Sequence, residues 1–431
     1  MKFFKIIIFI ILLISPLYAE DSVEDNNTSS VSDQYVEISK IRIIIDEKIF
    51  EWTEGELIQT DTAENDDVAE SNITLKSSTI ISFLSIKPGR KVKQNSLEEL
   101  CRDSELRLNK SGYFYSASVM IVPPVKNPDE RTVIVTVTSG YFWRYSGGNA
   151  WGMIGKAGLF GDRASFYLFA GWNKNGFEYM HYRAGGIPLI LGARAFYFGP
   201  GDYAGKRNDE NGNRFESAAT AGWFLHPDLI ICADLADSGF GPDSKGLVSF
   251  QPYIRYEKFL KTGTDSNAGF ETRSFIYPSL NKFKAETGGF VHAGLTGSTV
   301  FAFALSGGYS PDDLTEDICF DLFYTEDRNV RSGYEVEQLS ASDYLLGSAE
   351  LRQTVLTLKP AGVECRFQTF LFADAAGLHT ISDPDEMIIA DAYGAGFRIL
   401  FENPVFARFT FSYGINRDIN GRFFFCGTAG F

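Results

Sequence analysis

The chain has 431 residues, 44% of them hydrophobic and 15% aromatic, with a net charge of −15. That acidity argues against nucleic acid as a partner. Five isolated cysteines with no C-x-x-C and four scattered histidines argue against a disulfide framework and suggest no metal site.

Met1 to Lys5 carries two lysines, Ile6 to Ile14 is an unbroken apolar run, and Ser15, Pro16 and Leu17-Tyr18-Ala19 lead to Glu20. This pattern predicts a signal peptide over 1–19, cleaved after Ala19. The apolar run is too short to span a bilayer core of about 30 Å as a helix. No Cys stands at the cleavage point, so a lipoprotein is not expected. Residues 20–34 are acidic and polar, a composition that predicts a disordered leader.

Residues 35–145 read as a small mixed α/β domain. Val36 to Ile45 is a strand run; Glu51 to Asn72 is acidic and reads as a loop; Ser78 to Leu84 reads as a short helix. Pro88-Gly89 is a turn, and a longer helix opens at Ser96, with Leu97, Leu100, Leu106 and Leu108 on its apolar side and Gly112 as its stop. Strands follow at Tyr115 to Val122 and Thr132 to Thr138. The order β-α-α-β-β predicts a helix pair on a three-stranded sheet.

From 146 to 431 the texture changes. Glycine and aromatics rise, and segments of about ten residues alternate in polarity between turns. In Arg163 to Trp172, Ala164, Phe166, Leu168 and Ala170 oppose Arg163, Ser165, Tyr167 and Phe169. In Phe250 to Lys258, Phe250 and Ile254 oppose Gln251, Arg255 and Glu257; in Val363 to Asp374, Phe367 and Leu371 oppose Glu364, Arg366, Gln368 and Asp374. Charges recur on one face, as a polar barrel interior requires, and such segments from Trp151 onward number about sixteen. Twelve or fourteen strands, and a soluble β-sandwich, are the alternatives. The last eleven residues, G-R-F-F-F-C-G-T-A-G-F, also alternate and end on Phe431. They are expected to form a barrel-closing strand. The fold class expected is therefore a transmembrane β-barrel of about 16 antiparallel strands behind a small amino-terminal α/β domain.

The motifs that narrow the function lie after Cys319. They are N-V-R-S-G-Y-E from Asn329, L-G-S-A-E-L-R from Leu346, F-L-F-A-D-A-A-G from Phe370, Y-G-A-G-F-R-I-L-F from Tyr393 and F-A-R-F-T-F-S-Y-G from Phe406. In this order they resemble the carboxyl half of the BamA/TamA family of outer-membrane assembly proteins, the bacterial surface antigen family. The amino-terminal domain is similar to a POTRA domain, with S-I-K-P-G-R-K-V before its long helix and K-S-G-Y-F after it.

The resemblance implies an outer-membrane barrel with its POTRA domain in the periplasm. It implies a loop folded back into the lumen, with Arg331, Gly333 and Tyr334 on the loop and Glu350 and Asp374 as its acidic partners on the wall. The chain departs from the family pattern in Ser332, between Arg331 and Gly333, and in the spacing of Asp374 from Gly377. The glycine-rich first barrel segment, with Gly147, Gly148, Gly152, Gly155 and Gly158, and the last strand, with Gly427, Gly430 and Phe431, are expected to form a weak lateral seam. Implied partners are outer-membrane lipid, unfolded client outer-membrane proteins, and periplasmic chaperones or lipoproteins. No catalytic set is legible, and neither an enzyme activity nor a cofactor is expected. A secretion pore for a dedicated substrate and a non-transporting surface barrel are the alternatives.

Overall fold

The computed structural model describes residues 35–428, apart from 62–75, 123–128, 140–142, 199–213, 241–245, 260–265, 323–329, 332–339, 360–363, 403–406 and a few shorter stretches. The expected signal peptide, the leader, Gly112, Gly430 and Phe431 lie outside the described residues.

The amino-terminal domain is a sheet of β1 (Tyr35–Ile45), β2 (Lys48–Thr53), β3 (Glu56–Asp61), β4 (Lys91–Lys93), β5 (Phe114–Val122) and β6 (Glu130–Ser139), with helices α1 (Ser77–Ile81) and α2 (Gln94–Lys110). The main order is β3-β2-β1-β6-β5, and β4 pairs with β1. β1 and β6 run parallel and β5 and β6 antiparallel. Val36 and Ile38 and then Ile41, Ile43 and Ile45 are all buried, a change of phase that a bulge between Ile38 and Lys40 accommodates. Leu97, Cys101, Ser104 and Leu108 bury one face of α2 at helical spacing.

The sheet has six strands where the sequence reading expects three. The acidic stretch read as a loop from Glu51 begins as the hairpin β2–β3. Its acids do not prevent pairing because Glu51 accepts from Lys40 at 3.1 Å and Arg42 at 2.6 Å, while Phe50 and Trp52 pack against the core. Asp46 turns β1 into β2 at a φ of 46°, which Asp tolerates better than most residues.

The second sheet closes into a barrel. Its wall strands are β7 (Trp143–Gly148), β8 (Trp151–Ala157), β9 (Ala164–Gly171), β10 (Asn175–Tyr182), β11 (Leu189–Phe198), β12 (Arg214–His226), β13 (Leu229–Phe240), β14 (Leu247–Phe259), β15 (Asn267–Tyr277), β16 (Lys282–Gly294) and β17 (Thr299–Tyr309). After the two-residue β18 (Phe320–Asp321) come β19 (Ser340–Leu358), β20 (Glu364–Thr380), β21 (Met387–Glu402), β22 (Ala407–Ile415) and β23 (Gly421–Thr428). Leaving β18 aside, the wall is of sixteen antiparallel strands, as expected. The first of them begins at Trp143, ahead of the expected boundary at 146, because W-R-Y-S-G-G alternates too weakly to be read as a strand.

No helix among the described residues is long and apolar enough to cross a membrane. The barrel crosses with strands instead. On β20, Leu371 is 62% exposed while its neighbours Phe370 and Phe372 are buried; on β13, Leu235 is 59% exposed while Asp234 is buried. The outside is apolar and the inside carries the charges.

The domain meets the barrel at its turns. Arg163, just before β9, lies 4.3 Å over the ring of Phe83. Arg107 of α2 is 2.7 Å from Asp103 on its own helix and 2.7 Å from Asp228 in the turn between β12 and β13. One guanidinium thus serves two carboxylates. Burial pushes the Asp228 carboxyl up to about 6 against the pull of Arg107, with Asp103 adding to the rise and Lys258 and Glu257 acting from β14.

A carboxyl raised from 3.8 to about 6 on docking takes up a proton between those values, so docking strengthens as pH falls. Asp228 therefore tightens the contact from pH 7 to 5, against the neighbouring His226, which burial and Arg107 hold below its ordinary value. Spin-label distances between domain and barrel should report this, and Asp228→Asn should flatten the profile. A contact that loosens over that range contradicts the assignment.

Candidate functional site: a loop held inside the barrel

The segment between β17 and β19 enters the lumen. Leu314, Ile318, Phe320, Leu322 and Val330 are buried against Tyr344 and Leu346 of β19, Phe370, Phe372 and Leu378 of β20, and Ala390 and Ala392 of β21. Lys284 of β16 donates to the Cys319 carbonyl at 2.9 Å and lies 4.8 Å over the Phe320 ring. A stretch with this many apolar side chains folds inward because the wall opposite supplies apolar inward faces to cover them.

Arg331 fixes the end of that segment. Its backbone N–H and Nε donate to Asp374 Oδ2 at 3.1 and 2.9 Å, and its Nη2 donates to Asp374 Oδ1 at 2.7 Å. Nη1 donates to Glu350 Oε1, and Nη2 also reaches Ser348 Oγ at 3.1 Å. The guanidinium lies 3.9 Å over the Phe372 ring. The Asp374 side chain is fully buried and that of Glu350 nearly so. Glu350 also accepts from Arg352 at 2.7 Å and Arg398 at 2.9 Å. Three guanidiniums and two carboxylates therefore share one dry patch, each acid held by forked, charge-assisted bonds.

The wall strands place these groups by alternation. Ser348, Glu350 and Arg352 are inward on β19, Phe370, Phe372 and Asp374 on β20, and Ser348 stands opposite Asp374 in register. A third strand matters equally. Arg398 of β21 lies 4.3 Å over the Phe370 ring. A Cβ on Gly394 or Gly396 would run into the Phe372 or Phe370 ring and the neighbouring strand, and one on Gly414 of β22 would strike the Arg331 carbonyl. These glycines leave the room that the aromatic rings and the loop backbone fill.

The structure thus brings Arg331, Glu350 and Asp374 together. Gly333 and Tyr334 lie outside the described residues. Sequence reasoning missed the parts played by Ser348, Phe372, Arg398, Gly394, Gly396 and Gly414. The signal was there in part: alternation puts Gly394, Gly396 and Arg398 on one face of Y-G-A-G-F-R.

The seam takes in only part of the expected glycine segment, Gly147 and Gly148. β23 closes on β7, with Cys426 opposite Gly148 and Gly427 opposite Gly147. Gly427 is at the seam. Gly152 and Gly155 are on β8, one strand further in, opposite Gly147 and Arg144 of β7. Gly155 admits the Tyr167 ring of β9, and Gly158 lies past the end of β8 at a φ of 67°, in a turn. The expectation ran Gly147 to Gly158 together as one segment, where the structure divides it among β7, β8 and a turn.

A comparison with protein-family models finds no match, and neither does one with curated proteins. Among solved structures, CdiB from Acinetobacter baumannii is 12% identical at a TM-score of 0.54, over 91% of this chain and 74% of that one. CdiB from Escherichia coli is 10% identical at 0.53, over 95% of this chain and 93% of that one. BamA from Haemophilus ducreyi lacking POTRA domains 1-3 is 12% identical at 0.47, over 90% and 84%.

Arg331→Ala leaves two buried carboxylates short of a partner and should cost the docked loop about 3–5 kcal/mol. Mass-spectrometric mapping of maleimide labelling should show the buried Cys319 thiol reacting at least about tenfold faster, with Arg331→Lys between the two because it lacks the fork. Unchanged labelling contradicts the lock. Gly414→Val, which removes no charge, should release the same thiol; a protected Cys319 in that variant would show that the glycine is not needed for docking.

At the level of the fold, the CdiB likeness agrees with the resemblance read from the motifs: the chain is a sixteen-stranded transmembrane β-barrel behind a small α/β domain.

Proposed function

We propose that the protein resides in the bacterial outer membrane, with its amino-terminal domain in the periplasm as a POTRA domain, and assists insertion of other barrels without catalysis. The observation that carries this reading is the seam. Among the described residues β23 and β7 share two register pairs, and three of those four residues are glycine. Elsewhere β20 and β21 stay in register from Glu364↔Glu402 to His379↔Met387.

Strand length supports it. Among the described residues β7, β8, β9 and β10 have 6, 7, 8 and 8 residues. A spanning strand needs about 9–11. A short wall beside a short seam thins the bilayer and lowers the cost of opening sideways. An opened β23 edge offers unpaired N–H and C=O groups to an incoming client strand by strand addition. The filled lumen favours the lateral route over passage through the barrel. Periplasmic chaperones or lipoproteins would deliver clients to the amino-terminal domain.

Native Cys426 makes the test direct. Antiparallel partners stand about 4.5–5.5 Å apart at Cα, within disulfide reach, so Gly148→Cys should form a bridge to Cys426 across the seam. The bridged protein should reach the membrane yet lower the level of client barrels in cells that depend on it, and a reductant should restore them. Full client levels with the bridge formed contradict lateral insertion.

The second reading is a translocation pore for a dedicated protein, favoured by the CdiB likeness in fold. It needs the lumen segment to leave, so there Arg331→Ala should raise single-channel conductance and the seam bridge should leave export intact.

A further inference from the structure

A groove of about 610 Å³ lies between β4 and α2 and reaches the barrel at Lys258. Val92, Leu100 and Leu106 give it an apolar floor, and Arg90, Lys91, Lys93, Arg102 and Lys258 line it with positive charge. Three acids also line it, Glu99, Asp103 and Glu105. Asp103 is held by Arg107, Glu105 accepts from the Val119 N–H at 2.8 Å, and of the cations Lys91 stands 3.7 Å from Glu37 at the surface. β4 pairs with β1 on one side, and no strand among the described residues pairs its other edge. The groove therefore presents a strand edge, apolar surface and an excess of cations, the requirements of an extended acidic peptide.

Such a peptide is tethered at its wall. The chain enters β1 at Tyr35, whose register partner is Lys93. Immediately before it, residues 20–34 carry Glu20, Asp21, Glu24, Asp25 and Asp33 and neither Lys nor Arg. From Gln94 to Leu106 the α2 wall rises about 18 Å at 1.5 Å per residue. Five or six extended residues at about 3.3 Å each cover that distance, so the segment has length to spare. Tethering removes the cost of a bimolecular encounter.

The geometry points to residues 20–34 as the occupant of this groove: an intramolecular acidic strand lying beside β4, its carboxylates against Lys91, Lys93 and Arg102. This goes beyond the proposed function and does not require it.

The test uses the full chain in lipid nanodiscs with photoreactive benzoylphenylalanine in place of Ser96, which lines the groove. After illumination, peptide mapping should place the main adduct on residues 20–34 of the same chain. Glu24→Gln, Asp25→Asn and Asp33→Asn together, which change no residue of β1–β6, α1 or α2, should lower that adduct at least fivefold, and raised salt should do the same. Adducts on the other acidic stretch, 62–75, or on a second copy of the chain would overturn the inference. So would an adduct on 20–34 that is indifferent to the three substitutions.

Discussion

One guanidinium joins the loop to the wall. Arg331 binds Asp374 through its backbone N–H and two side-chain nitrogens, and it binds Glu350 at the same time. Neither acid would be stable in a dry lumen alone, and neither would the arginine. Arg331 is the guanidinium that meets Asp374, while Glu350 also keeps Arg352 and Arg398. Once Arg331 is seated, Leu314, Ile318, Phe320, Leu322 and Val330 are committed to the lumen, where they form a second hydrophobic core separate from that of the amino-terminal domain. The barrel is thus a filled body on one side rather than an empty tube.

That core is unevenly placed. It rests on β19, β20 and β21, with 19, 17 and 16 residues, and these strands pair along most of their lengths. Among the described residues the opposite side, around β7 and β23, is short, glycine-rich and sparsely paired. Local opening takes the path with fewest bonds and least buried surface. A wall with one braced side and one weak side opens at a defined place, and a locked loop keeps the braced side from following. The filled lumen and the weak seam are in this sense one design.

Much of this was legible in the sequence. Period-two alternation put polar and charged residues such as Arg366, Gln368 and Asp374 on one face and Leu371 on the other, and the strand count followed from such segments. The partners Arg331, Glu350 and Asp374 were legible because the motifs resemble a known family and because alternation independently aimed both acids inward. Three things were not. The hairpin β2–β3 was hidden by its acids, whose cations come from β1 across the pair. The start of the first barrel strand was hidden by the weak pattern of W-R-Y-S-G-G, so that β7 and β8 were read as one glycine-rich segment. The glycines at 394, 396 and 414 act through the side chain they lack, and only the packed Phe370, Phe372 and Arg331 backbone give that absence a meaning.

The central claim is that stability is graded around the barrel, from the Arg331 patch to the seam. Hydrogen–deuterium exchange of the protein in lipid nanodiscs measures that gradient strand by strand. The account predicts that amides of Trp143–Gly148 and Gly421–Thr428 exchange orders of magnitude faster than those of Ser340–Leu358 and Glu364–Thr380. Uniform protection around the whole barrel, or slower exchange at the seam than beside Arg331, would contradict it.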